Sequence, residues 1–599
     1  MFNRKLSYLA VIALISASTT TVVGCGGPTG EADPGIIDNE MPGELSLGSD
    51  GKADYASYDA CLVQAILDRL NDPALTESGL AGTKPKIGTR AARYIFEFRL
   101  GTDGVFDDLE EVDSVKWVGK GVIGRLADQV DPNCDEPPTP PPAPNASADV
   151  VFSPAPYQNS HVTKAVEWIQ SAQYSVDLAM YSMSNDSRIQ NALSDALDRG
   201  VAVRVIFHQA NDDRKADPED LAGTKSAKLE ARGVDVRWVN KIMHHKFLLV
   251  DGPTLTMADG SQARLVTGSA NWSTGGATRY DENTIFLTQV TELAYAYQSE
   301  FNLMWNHSKD FVFDDTLVYN KADELGAAPS DDNTDSLFTS ANFKVSSAGT
   351  TFSRIRGMKT VADGIVAEIE KATQSIYVAS GHLRSRHVYD ALVAAKAANP
   401  SLDIRIYTDG QEYISEWGQN NQDNKRASCL VNAGESSNAI EDCLNKGYYY
   451  SLLLGQAGID LRFKYYAYRW DYSYAPQMHN KFFIIDGETL LTGSYNLSDN
   501  AEGGTFENMA ILRAPQYGAL IAAFEARFLD LWDTRASGQE LADLRDEIAT
   551  DSTIPLTFKA MALTWQEVTE LKSLIRSNCS LVDSDSYRKH PEVHTTCPR

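Results

Sequence analysis

The sequence predicts an α/β protein with two repeated α/β sandwich halves related by a pseudo-twofold axis, preceded by a small all-α domain. The first observation is an internal repeat. A pattern typical of an amphipathic helix followed by a β-strand occurs near Ile169 and again near Ile369, 200 residues later. The second observation is the alternation of helices and strands that follows in each half. The predicted elements are Ile189–Arg199, Val201–Phe207 and Asp235–Trp238 in the first half, and Val388–Ala398, Leu402–Tyr407 and Asp460–Phe463 in the second.

Length and charge narrow the possible functions. A chain of 599 residues is long enough for several domains. Its formal net charge is −27, and an acidic surface repels the phosphate backbone that nucleic-acid-binding proteins contact with Lys and Arg. The composition therefore disfavours nucleic acid as a partner.

The N-terminus has the features of an export signal. Two basic residues precede the apolar run Leu6–Ser18, which predicts a signal peptide over residues 1–24. The following cysteine, Cys25, resembles the modified cysteine of a bacterial lipobox, which implies cleavage before it and lipidation of its thiol. The alternative is an ordinary signal peptide with an incidental cysteine. Because Gly26 follows rather than Asp, we expect an exported bacterial lipoprotein at the outer membrane or cell surface.

Composition also suggests where the domains begin and end. Within residues 55–131, Gly88 and Gly119 each stand before a helical apolar pattern. This unit resembles a tandem helix-hairpin-helix unit, whose glycine turns can present backbone N–H groups to a DNA phosphate, although a packing or docking module fits the same pattern. The C-terminal tail contains one predicted helix, Thr564–Arg576. The complete division is a signal peptide (1–24), a lipidated Cys25 with a disordered tether (25–54), a helical domain (55–131), a proline-rich linker (132–149), repeat 1 (150–335), repeat 2 (336–545) and a helical tail (546–599).

Six cysteines remain besides Cys25, and an even number in an exported protein favours disulfides. Six cysteines permit fifteen pairings. Their clustering along the chain favours the pairs Cys61–Cys134, Cys429–Cys443 and Cys579–Cys597.

One short motif occurs twice. Each copy has His-x-Lys, an apolar run ending in Asp, then Gly-Ser-x-Asn and finally Glu-Asn. From His479 to Glu507 is 28 residues, whereas from His244 to Glu282 is 38. The ten additional residues lie between Asp and Gly of the first copy and include the turn-forming pair Asp-Gly. Without them the copies share one register: His244, Lys246, Asp251, Ser269, Asn271 and Glu282; His479, Lys481, Asp486, Ser494, Asn496 and Glu507.

The side chains of the motif suit phosphodiester chemistry. In an extended strand, residues two apart point to the same face, so each histidine projects with its lysine and each serine with its asparagine. Two halves together supply two imidazoles for nucleophilic attack and proton transfer, and two cations with several donors for the phosphate oxygens.

These residues resemble the phospholipase D superfamily, whose signature is His-x-Lys-x4-Asp followed by Gly-Ser-x-Asn. The resemblance covers residues 150–545. It implies a two-step displacement through a phosphohistidine, in which we assign attack to His244 and acid–base work to His479. It also implies that Lys246, Lys481, Asn271 and Asn496 hold the phosphate oxygens, supported by Ser269 and Ser494.

The remaining motif residues have expected supporting roles. Glu282 and Glu507 should each accept a hydrogen bond from an imidazole, fixing its tautomer. Asp251 and Asp486 have the opposite parity, so we expect them to order the loop after the strand. We expect no metal or other cofactor, because two lysines and two histidines supply the charge. His245 points away from its neighbours and should pack, and we assign no role to the unrepeated His161, His208, His382 and His387.

The resemblance leaves the phosphodiester open. The lipid anchor and a tyrosine-rich insertion, Tyr465–Tyr474, favour a phosphatidylcholine-like substrate, since Tyr and Trp suit a membrane interface or a quaternary ammonium cage. Ordinary packing or base stacking would explain the same tyrosines. The alternatives are a metal-independent endonuclease that uses residues 55–131, and a non-catalytic docking lipoprotein. We expect a monomer that acts on phospholipid and is held at a membrane through Cys25.

Overall fold

The structure is a computed structural model that describes residues 60–599. Within that range it leaves out 73–74, 84–85, 88, 102–104, 107, 117, 119, 131–146, 209–222, 254–261, 311–324, 326–328, 348, 350, 446, 472–473, 534–537, 551–555, 595 and 598–599. The predicted signal peptide, the lipidation of Cys25, the tether and most of the proline-rich linker therefore lie outside the described residues. So do Cys134 and the ten-residue insertion of the first motif, apart from its ends.

Five helices form a unit with its own apolar core before the repeats. Leu70, Ile95 and Ile123 are fully buried at its centre. The unit is all-helical, as predicted, but the glycines at 88 and 119 that suggested helix-hairpin-helix turns are not described. The helices are α1 (Ala60–Asn71), α2 (Glu77–Gly82), α3 (Thr89–Gly101), α4 (Leu109–Ser114) and α5 (Lys120–Ala127).

The first half contains an eight-stranded mixed sheet. The strands of this half are β1 (Ser147–Ser153), β2 (Ser175–Met180), β3 (Ala202–Phe207), β4 (Asp235–Trp238), β5 (Ile242–Met243), β6 (Lys246–Val250), β7 (Arg264–Gly268), β8 (Glu282–Thr288) and β9 (Lys309–Asp310). The sheet order is β1-β8-β7-β6-β2-β3-β4-β9, and β2, β3 and β4 run parallel. β2 is buried on both faces, which explains its nearly continuous apolar sequence.

The second half repeats this sheet strand for strand. Its strands are β10 (Thr334–Phe338), β11 (Phe343–Val345), β12 (Phe352–Arg354), β13 (Ser375–Ser380), β14 (Asp403–Asp409), β15 (Asp460–Ala467), β16 (Lys481–Ile485), β17 (Thr489–Gly493), β18 (Thr505–Phe506), β19 (Asn508–Arg513) and β20 (Thr557–Thr564). The sheet order is β10-β19-β17-β16-β13-β14-β15-β20, with β13, β14 and β15 parallel. The matching orders confirm the predicted pair of α/β halves.

Helices cover the sheets. In the first half these are α6 (His161–Gln170), α7 (Ser187–Asp198), α8 (Lys225–Glu230), α9 (Thr274–Thr278) and α10 (Thr291–Asn306). In the second half they are α11 (Thr360–Ile369), α12 (Arg386–Ala398), α13 (Glu416–Ala433), α14 (Ser437–Leu444), α15 (Ser451–Gln456), α16 (Asp499–Gly504) and α17 (Gly518–Asp533). The tail adds α18 (Gly538–Thr550), α19 (Trp565–Asn578) and α20 (Asp585–Lys589).

One apolar core joins the two halves. It contains Phe247 of β6 and Phe482 of β16, together with Phe301 of α10 and Phe524 of α17. Each sheet therefore lies between an outer helical layer and a central layer that both halves share. Helices at the interface bring the motif-bearing strands β6 and β16 close together.

The tail contains a β-strand in addition to the expected helix. Its strand β20 pairs with β15 at the edge of the second sheet, so the tail completes that sheet. The predicted disulfides Cys429–Cys443 and Cys579–Cys597 are both present. In the described parts of the chain, no helix is both long and apolar enough to cross a bilayer.

Candidate active site

Both motif histidines are fixed by the backbone of the opposite half. His244 lies between β5 and β6, and its N–H donates to the carbonyl of Phe506 at 2.9 Å. β5 also pairs in parallel with β18 of the second half. His479 makes the reciprocal contact, donating its N–H to the carbonyl of Asp281 at 3.0 Å. The halves therefore meet at the histidines.

The carboxylates cross between the halves. His244 Nδ1 lies 2.8 Å from Oε2 of Glu507, and His479 Nδ1 lies 2.6 Å from Oε1 of Glu282. The sequence predicted a bond between a glutamate and an imidazole, and the structure shows that each bond joins opposite halves. With Nδ1 engaged by a glutamate in both histidines, Nε2 is the second ring nitrogen, and in His479 it contacts Lys481.

The two serines contact the carboxylates. Ser269 donates its hydroxyl to Glu282 at 2.6 Å, and Ser494 donates to Glu507 at 2.7 Å. Both serines are fully buried. The serines therefore orient the glutamates, because the buried carboxylates need donors, and their expected contact with phosphate oxygens stays a prediction.

The lysines lie beside the histidines. Lys246 Nζ donates to the carbonyl of His244 at 3.0 Å, and Lys481 Nζ donates to the carbonyl of His479 at 2.8 Å. Lys481 Nζ is also 3.1 Å from His479 Nε2. Both lysines are about as buried as core residues. Two ammonium groups at the paired imidazoles make a site suited to an anionic phosphodiester.

Burial and charge keep His244 unprotonated. Burial, then Lys246 and Lys481, and then His479, lower the pKa of His244 well below its usual range. Burial raises the pKa of Glu282 and of Glu507 to about 8, against the opposing influence of the lysines. At neutral pH the His244 ring therefore has a free lone pair for attack, while the adjoining carboxyl groups can retain a proton.

The asparagines of the two motifs differ in their surroundings. Asn496 lies in the wall of a cleft that also includes His244 and Glu507. Asn271 is buried, and its carbonyl accepts a hydrogen bond from His161 Nε2 at 3.0 Å. His161, to which the sequence analysis assigned no role, therefore fixes the backbone of a motif residue.

The glycines of the motif are required by close backbone approach. A Cβ at Gly268 would lie 2.3 Å from the carbonyl oxygen of Asn283, and one at Gly493 would lie 2.2 Å from that of Asn508. Any side chain would push β7 from β8, or β17 from β19. The same approach brings Ser269 and Ser494 to the glutamates.

The aspartates cap the turn that enters the sheet. Asp251 accepts backbone N–H bonds from Gln173, Tyr174 and Ser175 at 2.9, 2.7 and 3.2 Å. Asp486 accepts from the corresponding turn before β13, and although burial raises its pKa, these backbone donors lower it overall. Both aspartates have positive φ, 53° and 54°. Their contacts are structural, and they order the turn before β2 or β13.

Two asparagines that follow the glutamates join the halves. Asn283 donates to Oδ1 of Asn480 at 2.9 Å and accepts from Thr492 at 2.7 Å. Asn508 makes the matching contacts with His245 Nδ1 at 2.9 Å and with Thr267 at 3.0 Å. His245 thus faces away from the catalytic-type residues, and its second nitrogen lies 2.9 Å from Glu300.

The sequence analysis missed an aromatic contact found in one half only. Tyr181 stacks on His208, with ring centroids 5.0 Å apart, and meets the ring of His244 edge-on at 4.5 Å. The sheet registers place Gly381 and Asp409 at the equivalent positions of the second half. Burial and then Lys246 lower the pKa of His208 to about 4. Without a repeat partner, neither residue stood out in the sequence.

A cleft of about 930 Å³ opens from the site. It begins at His244, Asn496 and Glu507 and extends to α13 and α14, which form a helical hairpin closed by Cys429–Cys443. This hairpin lies in the 410–459 connection between β14 and β15, whereas the equivalent connection in the first half spans only 208–234. This insertion was not predicted from the sequence.

The tyrosine-rich insertion is placed elsewhere. Tyr465, Tyr466 and Tyr468 are buried, and none of the described residues of 465–474 lines the cleft at His244. Tyr468 contacts the tail, with Lys572 Nζ 4.7 Å from its ring centroid. The interpretation as a membrane interface or ammonium cage is wrong for these buried tyrosines. They pack in the core because β20 and the tail helix α19 cover them.

The described residues contain no group of three or more His, Cys, Asp and Glu side chains arranged to hold a metal ion.

Comparison with known proteins agrees with the duplicated site. A family model described as "Cardiolipin synthase, PLD-like domain" matches residues 165–305 and 365–532, just over half of the chain. The chain belongs to this PLD-like family. The PLD-like chain is accordingly a phosphodiesterase of the hydrolase class, as the motifs predicted.

Several curated relatives are mitochondrial cardiolipin hydrolases. The PLD-like chain is 31% identical over 215 residues to the one from Drosophila melanogaster, covering 34% of this chain and 73% of the relative. It is 32% identical over 149 residues to the one from Danio rerio, covering 24% of this chain and 57% of the relative. A crystal structure of phosphatidylserine synthase from Haemophilus influenzae is 12% identical with a TM-score of 0.42, covering 75% of this chain and 94% of that chain, a likeness too distant to add to the assignment.

Proposed function

We propose that this protein is a phospholipase D-type enzyme that hydrolyses a phospholipid to phosphatidic acid and the free headgroup alcohol through a phosphohistidine. The single observation that supports this proposal most strongly is the crossed pair of His–Glu contacts at a cleft. Two buried imidazoles with Nδ1 engaged and two lysines beside them are the groups that the reaction needs.

The first step is attack by His244. Its Nε2 lone pair forms a bond to phosphorus while the bond from phosphorus to the headgroup oxygen breaks. His479 gives its Nε2 proton to the leaving oxygen, and Glu282 stabilises the histidine as its charge changes. The ammonium groups of Lys246 and Lys481 offset the negative charge on the phosphate oxygens.

The second step reverses the roles. His479, now neutral, removes a proton from water, and the oxygen of that water bonds to phosphorus as the P–N bond to His244 breaks. Phosphatidic acid leaves and both imidazoles return to their starting states. Another alcohol in place of water would give transphosphatidylation by the same step.

The substrate class is supported by the relatives, whose names describe hydrolysis of a phospholipid. Phosphatidylcholine was the substrate expected from the sequence, but the tyrosines that suggested it do not line the cleft. The proposal therefore covers phospholipids as a class. We further propose that the predicted lipid anchor at Cys25 holds the enzyme at its substrate surface.

One assay tests the function. Purified full-length protein is incubated in EDTA with vesicles of phosphatidylcholine, phosphatidylglycerol or cardiolipin, and separately with plasmid DNA. The expected result is phosphatidic acid or phosphatidylglycerol production that His244→Ala and His479→Ala both abolish. DNA cleavage without lipid turnover would overturn the proposal in favour of an endonuclease, and absence of both activities would favour a docking protein.

A further inference from the structure

The cleft beside His244 contains five asparagines, together with the charged side chains of Arg384, Lys425, Arg426, Asp499 and Glu507. Asn424, Asn432 and Asn445 of the helical hairpin line one side, and Asn496 and Asn500 line the other. A carboxamide both donates and accepts, which is the requirement for binding hydroxyl groups. A wall this rich in amides is suited to a ligand with several hydroxyls.

The same wall does not favour binding of a quaternary ammonium group. Arg426 lies 3.6 Å from the ring centroid of Tyr448, and Arg384 lies 4.5 Å from that of Tyr449. A guanidinium therefore already occupies a face of each tyrosine ring that could form an aromatic cage. Positive charge on Arg426 also repels a second cation.

Four polar atoms of the wall have no hydrogen-bond partner within the described part of the chain. They are Nδ2 of Asn445, Oδ1 of Asn496, Oδ2 of Asp499 and Nε of Arg426, and all four are buried. Buried donors and acceptors are nearly always paired, so unpaired ones concentrated in one cleft indicate a ligand that pairs them. The set contains donors and acceptors together, and hydroxyl groups satisfy both.

The hairpin fixes these groups in position. Cys429 and Cys443 join α13 to α14, and both cysteines contact the cleft. Arg426 of α13 donates to the carbonyl of Leu444 at the end of α14 at 3.3 Å, and it connects the hairpin to the next segment by donating to the hydroxyl of Tyr450 at 3.0 Å. A rigid wall at the reacting histidine selects among headgroups, because a preorganised site loses less entropy on binding.

We propose that this cleft binds an uncharged polyhydroxylated headgroup, such as glycerol, inositol or a sugar, and selects it over choline or ethanolamine. The inference rests on the proposed function, since the headgroup must lie beside His244 for its phosphodiester to be attacked.

The test compares soluble short-chain lipids, which removes differences in vesicle charge. Dihexanoyl phosphatidylglycerol should be hydrolysed by the full-length enzyme with a kcat/KM at least tenfold above that of dihexanoyl phosphatidylcholine. Asn445→Ala and Asn432→Ala should each reduce this ratio at least threefold. Asn438→Ala, an exposed asparagine of α14 outside the cleft, is the matched control and should leave the ratio unchanged.

A second measurement does not depend on the variants folding well. Glycerol and myo-inositol should inhibit hydrolysis of bis(p-nitrophenyl) phosphate by the wild-type enzyme competitively, and choline chloride at the same concentration should not. Equal turnover of the two lipids, or stronger inhibition by choline, overturns the headgroup inference alone. Failure to hydrolyse either lipid, with bis(p-nitrophenyl) phosphate still cleaved, refutes the lipid function on which it rests.

Discussion

The ring of Tyr181 meets the imidazole of His244 edge-on, with centroids 4.5 Å apart. The position equivalent to Tyr181 in the second half is Gly381, and the aromatic ring near His479 is that of Tyr280, with centroids 6.4 Å apart. The two histidines, otherwise related by the repeat, are therefore approached by different aromatic rings. The closer contact is the one to His244, to which attack on phosphorus is assigned.

Replacing Tyr181 should alter the pH dependence of the first step. In Tyr181→Ala, water reaches His244, and its lowered pKa should rise towards the usual 6.5. Attack needs the neutral imidazole, so the acidic limb of kcat/KM should move to higher pH, with a fall in rate of up to about fourfold at pH 6. Profiles with bis(p-nitrophenyl) phosphate measure this, with the exposed Tyr174→Ala as control. An unmoved acidic limb would show that Tyr181 does not shield the nucleophile.

The crossed carboxylates should have separable effects. Glu507→Gln removes the partner of His244 and should slow attack, whereas Glu282→Gln removes the partner of His479 and should slow proton transfer. General acid–base groups contribute about 10²–10⁴-fold. The leaving group p-nitrophenol needs no protonation, so Glu282→Gln should retain a rapid burst of p-nitrophenol release from the first step. Its steady-state turnover should be lost, because the second step needs His479 to remove a proton from water.

Rapid-quench measurement of the p-nitrophenol burst distinguishes these steps. Glu507→Gln should show no burst on the same time scale. If Glu282→Gln abolishes the burst and Glu507→Gln preserves it, the assignment of nucleophile and acid is reversed.

Folding stability should depend on pH through the buried glutamates. The pKa of Glu507 is raised to about 8 in the folded protein, so the folded state binds more protons than the unfolded state between about pH 4.5 and 8. The contribution of this carboxyl to the free energy of unfolding should therefore fall as pH rises through this window, and below about pH 6.5 the lowered pKa of His244 opposes the fall. Glu507→Gln should flatten the fall by up to about 1 kcal/mol per pH unit. Urea unfolding at pH 5, 6.5 and 8 measures it, and an unchanged slope contradicts the expectation.

Removing the hairpin disulfide should affect activity more than removing the other one. A crosslink over 14 residues contributes on the order of 3 kcal/mol to the segment that it closes. Cys429→Ser with Cys443→Ser should expose 416–444 to proteolysis and lower kcat/KM several-fold. Cys579→Ser with Cys597→Ser removes a similar crosslink from the tail and is the matched control. Similar loss of activity in both variants would indicate general destabilisation.

Much of the fold and site follows from local patterns that the chain contains twice. Duplication gives each motif an internal reference, which is why the two α/β halves and the pairing of Glu with His could be expected from sequence, although the strand order could not. It does not indicate which glutamate meets which histidine, because the same sequence is compatible with both arrangements. The crossed arrangement depends on contacts between the halves, such as the N–H of His244 to the carbonyl of Phe506.

Comparing the two repeats could not reveal the roles of residues that occur in one half only. Tyr181, His208 and the asparagines of the hairpin carry no pattern, and their roles depend on contacts between segments far apart in the chain. For the insertion at Tyr465–Tyr474, in contrast, the sequence suggested a role that the structure contradicts. Its composition suggested exposure, yet β20 and the tail helix α19 cover it, and a single sequence gives no indication of that covering.

The crossing of the carboxylates constrains how this chain can change over time. Loss of Glu282 or Glu507 removes the partner of the histidine in the opposite half, so each motif depends on an intact copy of the other. The helical hairpin and Tyr181 occur in one half only and take no part in the His–Glu contacts, so they can differ without altering this dependence.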